Sequence, residues 1–136
     1  MGRRAAPRAL DFRLLVAPHI HETRQVPTTL VVLETAQTFA SFTYDLSVEE
    51  QVEEGVLRYR VLGLKAPRMS LPRPGPARFE REYENLRGTV TIHVEGLDGT
   101  VTSCAVAVAP GRIRVVNPPT SPRLTLTTDT TSWGNL

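Results

Sequence analysis

Cysteine is almost missing from this chain, and its scarcity excludes whole classes of protein. Cys104 stands alone, so no disulfide closes within the chain and no multi-cysteine zinc cluster is available. The staple of small secreted domains is thereby ruled out, which favours an intracellular setting or an assembled particle. Lysine is as scarce: Lys65 is the only one, and every other basic side chain is an arginine. No apolar stretch approaches the roughly 20 residues that a membrane-spanning helix requires. A glycine-rich phosphate loop and a nucleophile elbow are both lacking, which removes two legible routes to an enzyme. Targeting chemistry is missing as well. Arg8, Asp11 and Arg13 break up any apolar core after the Arg3-Arg4 pair, and Ala6 stands where N-myristoylation needs Ser or Thr.

What is present is enough for one small globular domain. The chain has 136 residues, 40% of them hydrophobic, and a formal net charge of +2. One core is the natural division at this length. The arginine bias suits phosphate or carboxylate recognition, but the acids nearly balance the bases, so bulk charge attracts no polyanion.

Periodicity points to strands almost throughout. Leu10, Phe12, Leu14 and Val16 alternate with polar neighbours, as in a strand with one buried side, and Pro18 is expected to end it. Residues 28–35 form a β-branched, nearly continuous apolar run, the pattern of a strand covered on both faces. Residues 38–46 alternate again, with Ala40, Phe42, Tyr44 and Leu46 as the core face. Ser47 and Glu50 have the spacing of a capping box, which predicts a helical turn or two before Gly55. Residues 56–64 resume a strand. Four prolines in residues 66–77 mark an exposed, extended loop. Residues 79–86 read as an edge strand, with Phe79, Arg81 and Tyr83 on one side and Glu80, Glu82 and Glu84 on the other. Residues 89–95 and 100–109 flank Gly96-Leu97-Asp98-Gly99 as a hairpin, and a two-residue Asp98-Gly99 turn would set Val90, Ile92 and Val94 across from Ala107, Ala105 and Ser103. Residues 113–116 add a last core strand.

The expected fold is therefore all-β: a single antiparallel β-sandwich or jelly-roll-like barrel of seven to eight strands, with extended N- and C-terminal segments. Residues 1–9 read as a flexible basic arm, 10–117 as the β domain, and 118–136 as a Pro/Thr-rich tail.

The candidate sites are few. His19 and His21 stand two apart on an extended segment, so their rings point the same way and suit a metal. The two-residue turn would bring His93 opposite Cys104 as further ligands. The more ordinary reading of the same residues, and the favoured one, has His19 and His21 in a solvated loop after Pro18 and His93 as an outward sheet residue beside Thr91 and Glu95. Cys104 sits mid-strand among small apolar residues, where burial raises a thiol's pKa and makes it inert. Two basic patches, Arg3, Arg4 and Arg8 in the arm and Arg68, Arg73 and Arg78 around the proline loop, could neutralise phosphates. No aromatic residue lies in that loop to stack bases, so nucleic-acid binding is not favoured. In the tail, Leu124 and Leu126 alternate like a strand, and Trp133 is the one tryptophan, a residue that commonly anchors interfaces.

These features favour a non-catalytic structural or interaction module without a cofactor. It would self-assemble through its terminal segments as a homo-oligomer or larger assembly, such as a coat, shell, filament or appendage. The alternatives are a β-sandwich binding a small ligand, carbohydrate or metal through His19, His21 and its end loops, and a nucleic-acid-binding protein using the arginine-rich arm.

Overall fold

The computed structural model describes residues 11–37, 45–65 and 75–133, and within them the chain is all-β. Nine strands follow in order: β1 (Phe12–Ile20), β2 (Pro27–Thr35), β3 (Asp45–Glu53), β4 (Val56–Lys65), β5 (Arg78–Tyr83), β6 (Gly88–Glu95), β7 (Val101–Ala109), β8 (Arg112–Asn117) and β9 (Leu124–Thr127). A single 3-10 turn, Thr130–Ser132, is the only helical element among the described residues. The expected residues 1–9, the strand over 38–44 and most of the proline loop lie outside the described residues.

All nine strands join one sheet in the order β8-β7-β6-β4-β3-β5-β2-β1-β9. The sheet is mixed: β1–β9, β3–β5 and β4–β6 run parallel, and the other pairs antiparallel. This differs from the expected antiparallel sandwich or jelly-roll-like barrel of seven to eight strands, because the three parallel pairings join strands far apart in the chain, which local periodicity cannot show. The sheet curls into a half-barrel, and β8 returns to the neighbourhood of β1. Apolar burial drives the curl. Leu14, Val16, Val31, Leu33 and Phe79 on one side of the concave face meet Leu57, Tyr59, Val61, Ile92 and Val106 on the other. Tyr59 and Phe79 meet edge to face with ring centroids 5.5 Å apart.

β2 is buried on both faces, as its unbroken apolar run predicts. Its inner side enters the main core. Its outer Leu30 and Val32, with Leu15 and Ala17 of β1, form a second small core that Trp133 covers. The tail expected beyond residue 117 therefore belongs to the fold: β9 extends the sheet, and Trp133 seals its outer face.

Three local expectations are corrected. Pro18 does not end β1, which runs on to Ile20. The even-numbered amides of β1 point away from β2, as the bond from Phe12 N to Arg123 O shows, and β9 has already stopped pairing at Leu15. The missing proline donor thus falls where no ladder bond is needed. The capping-box segment is the strand β3, paired along its length with β4. There Glu50 accepts hydrogen bonds from Arg81 and Tyr83, and this tertiary pairing outweighs a local helical preference.

The third correction concerns the β6–β7 turn. Gly99 N–H donates to Gly96 O and Gly96 N–H to Thr100 O, both at 3.0 Å, with Gly99 at φ 82°. That is a type I turn followed by a left-handed glycine, a three-residue loop rather than a two-residue one. The Asp98 carboxylate fixes it by accepting from the backbone N–H and the hydroxyl of Thr100. Pairing shifts by one residue: Ile92 opposes Cys104, and Val90 and Val94 oppose Val106 and Thr102. The inward set Val90, Ile92 and Val94 is as expected, and all three are buried.

Substituting Ile92, wholly enclosed, with Asp should abolish folding, since an unpaired buried carboxylate costs several kcal/mol. Thr91→Asp, on the outer face, should lower the urea midpoint only slightly. Equal tolerance of the two variants in denaturation would contradict this arrangement of faces.

Candidate functional site

The shifted hairpin separates the expected metal ligands. Cys104 points into the core, while His93 pairs with Ser103 on the outer face, its Nδ1 2.6 Å from the serine Oγ. His19 lies on outer β1, with Nε2 3.7 Å from a Glu82 carboxylate oxygen. His21 has left the strand, and its Nδ1 accepts the Arg24 backbone N–H at 3.1 Å. The four residues therefore do not converge, and no group of three metal-ligating side chains gathers among the described residues. Burial pushes the Cys104 thiol up to about 11, which suppresses the thiolate at neutral pH.

The tail residues are brought together, but on their own chain. β9 adds in parallel to the edge of β1, with Leu124 opposite Phe12 and Leu126 opposite Leu14. Leu124 and Trp133 are each only 4% exposed, and Leu126 is half-buried against the main core. Asp129 caps the 3-10 turn by accepting from Thr131 N–H, which delivers Trp133 to Leu15, Ala17, Leu30 and Val32. The Arg13 guanidinium lies 4.2 Å from the centre of the indole ring. Of the expected basic patches, Arg78 is engaged by Glu34 and Glu80, while Arg3, Arg4, Arg8, Arg68 and Arg73 lie outside the described residues.

A polar seam marks the middle of the sheet. β3 and β5 share one backbone bridge, Asp45 to Arg78, and then splay apart. Side chains span the gap: Arg81 Nε donates to Glu50 at 3.2 Å, the Tyr83 hydroxyl donates to Glu50, and the Tyr59 and Tyr83 hydroxyls are 2.7 Å apart. Burial, reinforced by the neighbouring tyrosine, holds the Tyr59 phenol far above its ordinary pKa, and burial with the bond to Glu50 does the same for Tyr83.

The concave interior opens where the β1–β2 turn, the β5–β6 loop and the β7–β8 turn come together. A cleft of about 410 Å³ lies there. Its lining includes Val108 and Ile113, which are also part of the main core, together with Pro18, Val26, Pro27 and Leu86. Arg24, Glu84 and Arg87 are its ionisable groups, and Arg24 pairs with Glu84. Gly111, at φ 69°, lets the β7–β8 turn reverse tightly at the rim. A second cleft of about 730 Å³ lies across the β5–β6 loop, lined by Val52, Tyr83 and Val90 among several carboxylates. The sequence pattern did not single out Leu86, Arg87 or Ile113 as site residues. They arrive from separate connections and share no motif, so only the closed fold groups them.

No family model, curated protein or solved structure matches this chain.

Stability should fall as pH rises through about 9 to 11. The folded state keeps the Cys104 proton to about 11, and the tyrosine protons beyond their ordinary range near 10, whereas the unfolded chain releases them earlier. The unfolded state then binds fewer protons, and the thiol alone removes about 2 kcal/mol across that window. In an alkaline titration followed by tyrosinate absorbance, Tyr59 and Tyr83 should ionise only as the protein unfolds. Smooth ionisation of both near pH 10 in the folded protein would contradict the enclosed network.

Proposed function

We propose that this chain is a non-catalytic binding module that takes a small, largely apolar ligand into the cleft at the open end of the half-barrel. The observation that carries this reading is the cleft's lining, in which Val108 and Ile113 of the hydrophobic core lie beside Pro18, Val26, Pro27 and Leu86 in a space open to solvent. Its volume of about 410 Å³ falls within the range of small-molecule sites. No aromatic ring lines it, which disfavours the stacking that sugars use. The non-catalytic part rests on the enclosed thiol and phenols, whose raised pKa values oppose their use as nucleophile or base at neutral pH. Titrating 1-octanol into isotopically labelled protein should shift the amide signals of Val26, Leu86, Gly111 and Ile113 together and saturably. Shifts scattered over the outer face of β3, β4 and β6 would refute the cleft.

A second reading, a self-assembling subunit, draws on a different edge from the tail. β8 pairs only with β7 among the described strands, and its Val115 and Val116 are both 41% exposed. Two copies of such an edge can pair antiparallel about a twofold axis, since that arrangement is self-complementary. The tail is less suited to hold copies together, because Leu124 and Trp133 are already buried within one chain. On this reading, light scattering at high concentration gives a dimer mass that Val115→Arg with Val116→Arg returns to monomer. A monomer in the unsubstituted protein refutes it.

A further inference from the structure

We propose that the ligand of the cleft is a monoanion with an apolar body, its acidic head held by Arg87; the proposal rests on the cleft being a binding site. The rim supplies the chemistry. Three ionisable side chains line this cleft, two arginines and one glutamate, so its formal charge is +1 (two positive, one negative). Arg24 is paired with Glu84, which leaves Arg87 as the cation with no ion pair among the described residues. Arg87 is exposed, and it precedes Gly88, whose φ of 71° turns the chain from the loop into β6. A carboxylate suits this position because a guanidinium presents paired donors to two oxygens.

The neighbouring cleft sharpens the selectivity. It shares Arg24, Glu84, Leu86 and Arg87 with the first but adds Glu53, Glu54 and Glu82, giving a formal charge of −2 (two positive, four negative). An anion approaching this end of the molecule is therefore repelled from the larger opening and attracted to the smaller one. The apolar body then meets Leu86, Val108 and Ile113, which are inside the first cleft. The two openings sort ligands by the sign of their head group.

The test compares three ligands sharing one alkyl chain: octanoate, 1-octanol and octyltrimethylammonium. Their affinities for the intact protein are measured by titration calorimetry at pH 7 and low salt. Octanoate should bind roughly tenfold more tightly than 1-octanol, the difference a charge-assisted hydrogen bond supplies. The cation should bind the most weakly. Arg87→Gln should erase the preference for octanoate and leave 1-octanol unchanged, while Arg58→Gln, on the outer face of β4, should leave both unchanged. Equal affinity for octanoate and 1-octanol, or a preference that survives in Arg87→Gln, overturns the anion assignment and leaves the cleft standing. Binding of none of the three overturns the cleft reading, and the anion assignment falls with it.

Discussion

Glu34 is a carboxylate on the outer face of β2 that the structure leaves 1% exposed, and it is tolerable there only because two guanidiniums close on it. Arg13 of β1 donates through Nε at 3.0 Å and through a second nitrogen to one oxygen, while Arg78 of β5 donates to the other at 3.1 and 3.0 Å. The backbone register places these residues directly opposite one another, and the row continues through Asp45 of β3 to Lys65 of β4. Charge alternates in sign along the whole row: Arg13, Glu34, Arg78, Asp45, Lys65. A slip of one residue in β1 or β5 would leave Glu34 facing an uncharged neighbour on that side, so the row specifies register beyond what apolar alternation requires.

Two further features depend on that row. Arg78 stands at the one backbone bridge between β3 and β5, the point where the halves of the sheet are joined. Beyond it the strands diverge, and the hydroxyls of Tyr59 and Tyr83 with Glu50 and Arg81 close the gap with side chains. At the other end of the row, Arg13 stacks on Trp133 and so ties the C-terminal segment to the same charge cluster. The indole N–H has no hydrogen-bond partner among the described residues, a penalty that the apolar packing of the ring must outweigh. The half-barrel stays open at the far end, where β9 no longer covers β1 and β8 makes no ladder to it. That opening is where core residues line a cleft.

Much of the strand pattern was legible in the residues. The two-faced burial of β2 followed from its apolar run, the inward set of β6 from its alternation, and the burial of Cys104 from its neighbours. The segment around Ser47 was misleading for a physical reason. Capping chemistry and a cross-strand salt-bridge pattern use the same residues, and only β4 lying alongside decided between them. The hairpin loop misled by a single residue. Asp98-Gly99 signals a turn in either geometry, and the bonds from Thr100 to Asp98 select the longer one. That one residue moved Cys104 to the face opposite His93.

The sequence by itself determined that the chain is β-rich and has no multi-cysteine chemistry, because alternation and composition are local properties. The tertiary structure decided the order of the strands, the parallel pairings, the docking of the tail on its own chain and the grouping of Leu86, Arg87 and Ile113 at one opening. Each of these joins residues far apart in the chain, and their proximity arises only when a two-faced apolar sheet curls to bury its concave side.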